Sequence, residues 1–252
     1  TLENGGALLS GNTLTVNTGT LSNHGRMMGN GVDIRTSALT NDGRIQADNG
    51  LTLVTTGNIT NNATGVIQSA KALSVKAPEL INYGLLQGGT DTGLTFSRQL
   101  SGNGRILAGG MLTLDAPELN NTGWLQATSL VLNAATLTNA GQVVAGEATL
   151  GGDTLTNSGT LQAGSLTLKH KQQTHSGTVL GRQSTSVTAD RVDLAANGKL
   201  YSGGGLSVVA GALVQAGQII AGGDLTLKLV NAFTASNTLA AGGVLSVDSR
   251  NA

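Results

Sequence analysis

Apolar and polar residues alternate along this chain with a period of two, and the alternation restarts about every nineteen residues. Leu155, Asn157, Gly159, Leu161, Ala163, Leu166 and Leu168 make up one unit, with Thr, Ser, Gln or Gly between them. Period two is the pattern of a strand with one face buried. No window carries a helical 3.6-residue period, and β-branched Thr and Val are abundant. The unit is anchored by Gly6, Gly25, Gly43, Gly65, Gly84, Gly104, Gly123, Gly141, Gly159, Gly177, Gly198 and Gly217, with a thirteenth register at Asn237. Two residues after every anchor stands an apolar residue, from Leu8 and Met27 to Ile219 and Leu239. Four residues after it stands Ala, Gly or Ser, without exception from Ser10 to Ala241. An array of this kind over residues 1–252 predicts a single repeat domain. The expected fold is all-β: a parallel β-helix solenoid of about thirteen coils of 18–22 residues. At roughly 4.8 Å per coil it would be about 60 Å long.

Each column has a physical reading. The anchor glycines suggest corners that need positive φ, which Asn also tolerates, as at Asn237. Each coil is expected to divide into short strands at these corners. Asn recurs two residues before the anchor at Asn4, Asn23, Asn41, Asn82, Asn121, Asn139 and Asn157, and Asn61 and Asn62 lie nearby in a longer coil. Stacked Asn amides can hydrogen-bond from coil to coil. Toward the C-terminus the slot passes to His175, Ala196, Gln215 and Ala235, and Gly102 interrupts it earlier. The all-small column marks a tight interior site repeated at every level, with bulky neighbours filling the rest of the core.

Composition narrows the function. Charged residues are 11% and the net charge is zero, which leaves no overall electrostatic case for nucleic acid or an anionic membrane. Aromatic residues are 2%, so platforms for stacking bases are scarce. There is no cysteine, and no apolar run long enough to span a bilayer. No membrane insertion and no cofactor are expected. The chain begins at Thr1 and starts and stops in mid-repeat, the expectation for a piece of a much longer protein.

Many parallel β-helices act on polysaccharides, a chemistry that needs carboxylates in equivalent slots of adjacent coils. The aspartates scatter: Asp33, Asp48, Asp91, Asp115 and Asp224 have no acidic neighbour in the same slot of the next coil. Glu79 and Glu118 share a slot within Ala-Pro-Glu-Leu, but Gln99 lies between them, and they read as solvated corner residues. Asp190 and Asp193 read as an exposed turn pair. Lys169–Ser176, with His170 and His175, is the most polar stretch; without a carboxylate or Cys partner it reads as an exposed, distorted corner. No phosphate loop or repeated calcium motif occurs, so no catalytic, cofactor or metal residues are assigned. One column stands apart. The residue directly after the anchor is Arg26, Arg44, Val66, Leu85, Arg105 and Trp124 on successive coils. If outward, Arg44, Val66, Leu85, Arg105 and Trp124 form a candidate contact surface mixing cations with apolar area.

The pattern L-x-N-x-G-x-[LIVM]-x-[AGS] followed by L-x-L appears as Leu39-Thr-Asn41-Asp-Gly43-Arg-Ile45-Gln-Ala47 with Leu51-Thr-Leu53. It recurs as Leu119-Asn-Asn121-Thr-Gly123-Trp-Leu125-Gln-Ala127 with Leu130-Val-Leu132. Over the full chain it resembles the haemagglutinin repeats of filamentous haemagglutinin-like exoproteins. The resemblance implies a right-handed solenoid, in line with the usual hand of parallel crossovers. It further implies a secreted protein of the Gram-negative cell surface, exported by an outer-membrane transporter of a two-partner secretion system. Adhesins and stalks of contact-dependent growth-inhibition toxins belong to that family. The expected function is a non-enzymatic, rigid segment for contact with a host or bacterial cell-surface receptor or glycan. The alternative is a carbohydrate-active β-helix, a polysaccharide lyase or hydrolase.

Overall fold

The structure, a computed structural model, describes residues 1–249. They are all strand and turn, without helix, and form stacked coils of a parallel β-solenoid with about 13 turns. The chain divides into two compact units, Thr1–Val131 and Leu132–Ala252. In the first, Leu8↔Met27, Met27↔Ile45, Ile45↔Ile67, Ile67↔Leu86, Leu86↔Ile106 and Ile106↔Leu125 are register partners in parallel pairs. In the second, Val143↔Leu161, Leu161↔Val179, Val179↔Leu200, Leu200↔Ile219 and Ile219↔Leu239 are register partners in the same way. The repeat read from the sequence is therefore the hydrogen-bonding register itself.

The interior follows the two columns. Met27, Ile45, Leu86, Leu161, Val179, Leu200 and Ile219 are fully buried, and Leu8 and Leu239 are half-buried. Ala47 and Ala163 are fully buried in the small column, and Ala221 nearly so. Alternate residues point inward, and on the strand after each anchor the channel has room for one bulky and one small side chain. Ala163→Leu should accordingly overpack its coil and cost about 1–3 kcal/mol or more. Thr167→Leu, at a half-buried outward position, should cost far less. Equal unfolding midpoints for the two variants would mean that the inward register is misassigned.

The anchor glycines have a different reason from positive φ. Among the described residues only Gly102 (φ 127°) and Gly152 (φ 155°) have positive φ, and neither is an anchor. The anchor carbonyl instead accepts a backbone hydrogen bond from the next coil: Arg44 N donates to Gly25 O at 2.9 Å, Leu85 N to Gly65 O at 2.9 Å and Arg105 N to Gly84 O at 2.8 Å. A Cβ on the following anchor would run into that same oxygen, as Gly43 would against Gly25 O and Gly84 against Gly65 O. Glycine is required by close backbone approach between coils. Because the corners stay extended, Arg26–Asn41, Gln142–Asn157 and Thr160–His175 each run as one strand around a whole coil rather than as short pieces.

The Asn ladder forms. Asn4 Nδ2 donates to Asn23 Oδ1 at 2.7 Å, and Asn23 to Asn41, Asn41 to Asn61 and Asn61 to Asn82 at 2.8 Å each. Asn139 donates to Asn157 at 2.7 Å in the second unit. All of these residues are buried, so the ladder satisfies amides that water cannot reach. At Gly102 the ladder side chain is missing, and Asn82 Nδ2 keeps the bonds to the Gly84 and Arg105 carbonyls at 3.3 and 3.2 Å. Two coils depart from the expected spacing. Asn61 and Leu194, four residues before Gly65 and Gly198, occupy the slot rather than the residue two before, because a turn absorbs two extra residues. That turn is closed by Gly65 N to Asn62 O and Gly198 N to Ala195 O, both 2.8 Å. Ala196 is thus not a ladder position.

Candidate functional site

Each anchor is followed by a short outward–inward–outward–inward strand. The inward residues are the bulky and small columns, so the first and third residues after the anchor face out. In the first unit the structure stacks the predicted column in register: Arg26↔Arg44, Arg44↔Val66, Val66↔Leu85, Leu85↔Arg105 and Arg105↔Trp124. Arg26, Arg44 and Arg105 are exposed, while Val66, Leu85 and Trp124 are half-buried, so less apolar area is offered than the sequence suggested.

A second column, overlooked in the sequence, runs beside it. Gln46↔Gln68, Gln68↔Gln87, Gln87↔Leu107 and Leu107↔Gln126 are register partners. The signal was present: an outward first position makes the third position outward too. The columns are knitted together, with Arg44 Nε donating to Gln46 Oε1 at 2.7 Å and Trp124 Nε1 to Gln126 Oε1 at 3.0 Å. Neither column holds a carboxylate from Arg26 to Gln126. Elsewhere arginines do find one: Arg35–Asp33 at 3.5 Å, Arg98–Glu79 at 3.2 Å and Arg191–Asp193 at 2.7 Å. Among the described ion pairs none involves Arg26, Arg44 or Arg105.

The two Ala-Pro-Glu-Leu segments form a repeated corner, with register shifts between Ala77 and Glu79 and between Asp115 and Glu118. Glu79↔Gln99 and Gln99↔Glu118 are in register, so the glutamates are two coils apart, about 10 Å along the stack. They line an open surface hollow with Ser97, Arg98, Gln99 and Pro117. Glu79 is held by Arg98, whose Nη2 also donates to Asn58 Oδ1 at 2.6 Å. Asp190 and Asp193 lie inside the strand Thr178–Leu194, not in a turn, and Asp193 is paired with Arg191. No group of three or more His, Cys, Asp or Glu among the described residues is arranged to hold a metal ion.

The sequence model of the haemagglutinin repeat matches residues 1–63, 38–116, 96–163, 162–227 and 202–252. These overlapping matches run from one end of the chain to the other. The chain belongs to the haemagglutinin-repeat family. It is 48% identical over 206 residues to the tRNA nuclease CdiA of Escherichia coli (strain STEC_O31), covering 82% of this chain. It is 30% identical over 247 residues, 98% of this chain, to the deoxyribonuclease CdiA of Dickeya dadantii (strain 3937). A 16S rRNA endonuclease CdiA of Enterobacter cloacae is 41% identical over 195 residues. The chain spans 6% of the length of each of these relatives. No solved structure matches it.

One coil of this haemagglutinin-repeat array departs from the others in its interior. Along Thr160–His175, His170, Gln173 and His175 are 1%, 1% and 0% exposed. These three form a buried polar cluster in place of the exposed corner expected, while Lys169, Lys171, Gln172, Thr174 and Ser176 stay exposed, and the stretch stays in register with the coil before it. In that coil the partners are Gly152, Leu155 and Asn157. Gly152 makes room for the imidazole: a Cβ there would lie 3.1 Å from His170 Cδ2 and would also run into the Ala134 carbonyl oxygen. Gln173 Nε2 donates to the carbonyls of His170 and Thr188, both at 3.1 Å. Its Oε1 accepts from His175 Nε2 at 3.2 Å, which fixes the neutral tautomer of that ring. His175 thus fills the Asn slot but bonds along its own coil rather than to the next. Burial pushes both histidines down to about 4; the proximity of His170 adds to the effect on His175, and Asp153 partly opposes it on His170.

Proposed function

We propose that this chain is a non-enzymatic structural and adhesive segment of a large secreted exoprotein of the Gram-negative surface, exported by the outer-membrane transporter of a two-partner secretion system. It would serve as a rigid stalk and contact surface for a host or bacterial cell-surface receptor or glycan. The observation that carries this reading is the unbroken match of the repeat to the whole chain. Most coils spend their inward residues on core and ladder, and among the described residues no group of three or more His, Cys, Asp or Glu is arranged to hold a metal ion. The nuclease activities in the relatives' names belong to proteins of which the aligned part is 6%, and they are not transferred to this segment.

A carbohydrate-active role finds its support in the hollow that holds Glu79 and Glu118. Their spacing along the stack approaches the wider carboxylate separations of inverting glycosidases, about 6.5–9.5 Å. Against it, Glu79 is tied to Arg98. The purified chain is expected to leave a panel of acidic and neutral polysaccharides intact, with or without added Ca²⁺, while fluorescently labelled chain binds bacterial or host cells. Polysaccharide turnover abolished by Glu79→Gln or Glu118→Gln would replace the structural reading with the enzymatic one. Absence of binding to every cell type would remove the adhesive half and leave the stalk.

A further inference from the structure

The unit Thr1–Val131 carries a constellation of reacting groups that a stalk does not need. Ser22 and His24 flank Asn23, whose side chain points inward into the amide ladder, so period two sends both of theirs to the outer surface. Asp42 holds the position of His24 on the next coil: His24 N donates to Asn4 O at 2.9 Å, and Asp42 N to Asn23 O at 2.8 Å. Stacking thus brings the carboxylate beside the imidazole. Ser22 Oγ is 3.0 Å from His24 Nε2, and His24 Nδ1 is 3.3 Å from Asp42 Oδ2. Asn62, one coil further, donates from Nδ2 to the other carboxylate oxygen, Oδ1, at 2.7 Å.

The partners fix the direction of each bond. An ionised carboxylate only accepts, so Nδ1 carries the ring proton of His24. Nε2 is then the free lone pair, and the Ser22 hydroxyl donates to it. A hydroxyl bonded to a neutral imidazole, whose far nitrogen is held by a carboxylate, is the arrangement that makes serine a nucleophile. Other serines gain no base in this way: Ser10 and Ser202 Oγ donate to the carbonyls of Thr13 and Gly205, at 3.2 and 2.8 Å. Nor does the fold require the contact. Thr40, Thr60, Ile81 and Ser101 fill the slot of Ser22 on the following coils, and register holds there without a histidine two residues on.

We propose that Ser22 is a covalent acylation site, taking the acyl group of an activated carboxylic ester or thioester. His24 Nε2 removes the hydroxyl proton as Ser22 Oγ attacks the carbonyl carbon. The Oγ–C bond forms, the bond from that carbon to the leaving oxygen or sulfur breaks, and the proton passes from Nε2 to the leaving group. Asp42 is a positioning residue: it sets the tautomer and stabilises the transient imidazolium, and Asn62 holds the carboxylate in place. The corner is open, with His24 exposed, so water is not excluded. That favours donors with good leaving groups and a single acylation per chain. Such a modification is compatible with a rigid stalk and does not depend on adhesion.

The test is incubation of the purified chain with p-nitrophenyl acetate, the acetylated residues being located and timed by tandem mass spectrometry. Ser101 is the internal control, because it shares the outward slot and is followed by Asn103 where Ser22 is followed by His24. Ser22 should be acetylated at least about 100-fold faster than Ser101, the low end of general-base catalysis. His24→Gln should bring Ser22 down to the rate of Ser101. Asp42→Asn should slow it about tenfold or more, with circular dichroism and unfolding midpoint unchanged. Nitrogen-15 NMR of the neutral imidazole gives a readout that a merely structural contact would not move: the Nδ1–H tautomer should dominate in the parent and lose that dominance in Asp42→Asn. Acetylation of Ser22 no faster than that of Ser101 overturns the proposal. So does a rate untouched by His24→Gln or by Asp42→Asn, or a dominant Nε2–H tautomer in the parent.

Discussion

Gly84→Ala is expected to destabilise the solenoid by about 3 kcal/mol or more, whereas Gly93→Ala should raise stability by roughly 0.4–1 kcal/mol. The two substitutions add the same methyl group. At Gly84 that methyl would run into the carbonyl oxygens of Gly65 and Asn62 and lie 2.8 Å from Asn61 Nδ2. The Gly65 oxygen accepts the hydrogen bond from Leu85 N, and Asn61 is a rung of the buried amide ladder. Relief therefore requires separating two coils, which breaks backbone bonds that lie in a row. At Gly93 nothing lies within 4 Å of the added methyl, and φ is not positive, so the main effect is a stiffer unfolded chain. Chemical unfolding followed by circular dichroism measures both. Midpoints that shift in the same direction by the same amount would refute close backbone approach as the reason for the anchor glycines.

The second large effect is acid sensitivity in the unit Leu132–Ala252. His170 and His175 are neutral in the folded coil because burial holds them at about 4, against an ordinary value near 6.5. Between those values the unfolded chain binds protons that the folded chain does not, so stability rises with pH there and falls as pH is lowered. The loss begins near pH 6.5 and is complete below about pH 4, up to about 3 kcal/mol for each histidine. The groups around the cluster do little to prevent it. Asp153 attracts a charged His170, but it is exposed and bound to Lys171 at 2.6 Å, and Gln173 is already committed to His175. Val192 and Leu194 of the next coil, partners of Gln173 and His175, are apolar and offer an imidazolium no acceptor. His170→Ala with His175→Asn would restore the residue types used at these levels elsewhere in the array. Unfolding free energies measured from pH 7 to pH 4 should fall less steeply in this double variant than in the parent. Equal slopes would show that the cluster does not set the acid response.

Much of the fold and part of the candidate site were legible from single positions. The outward column from Arg44 to Trp124 could be read because period two, counted from a fixed glycine, assigns every residue to a face. The neighbouring glutamine column was equally available but went unread, since Gln at a β-surface position carries no chemical signal by itself. The significance of Arg26, Arg44 and Arg105 lies in the acids they lack, and that depends on the spatial neighbours of each coil. Arg98 and Arg191 are the same residue type and are neutralised by Glu79 and Asp193.

Lys169–Ser176 marks the boundary between the two kinds of knowledge. Its composition reads as solvent-exposed, yet register forces His170, Gln173 and His175 inward because Gly152, Leu155 and Asn157 beneath them point inward. By itself the sequence determined the strand content, the coil length, the inward columns and the Asn ladder. These repeat at every level, and a pattern written about thirteen times overrides any local ambiguity. Only the tertiary structure decided why the anchors are glycine, that Asn61 and Leu194 take the slot in the lengthened coils, and that two histidines are buried. Each of these is set by the distance from one coil to the next, and the register partners that meet across that distance are eighteen or more positions apart in the chain.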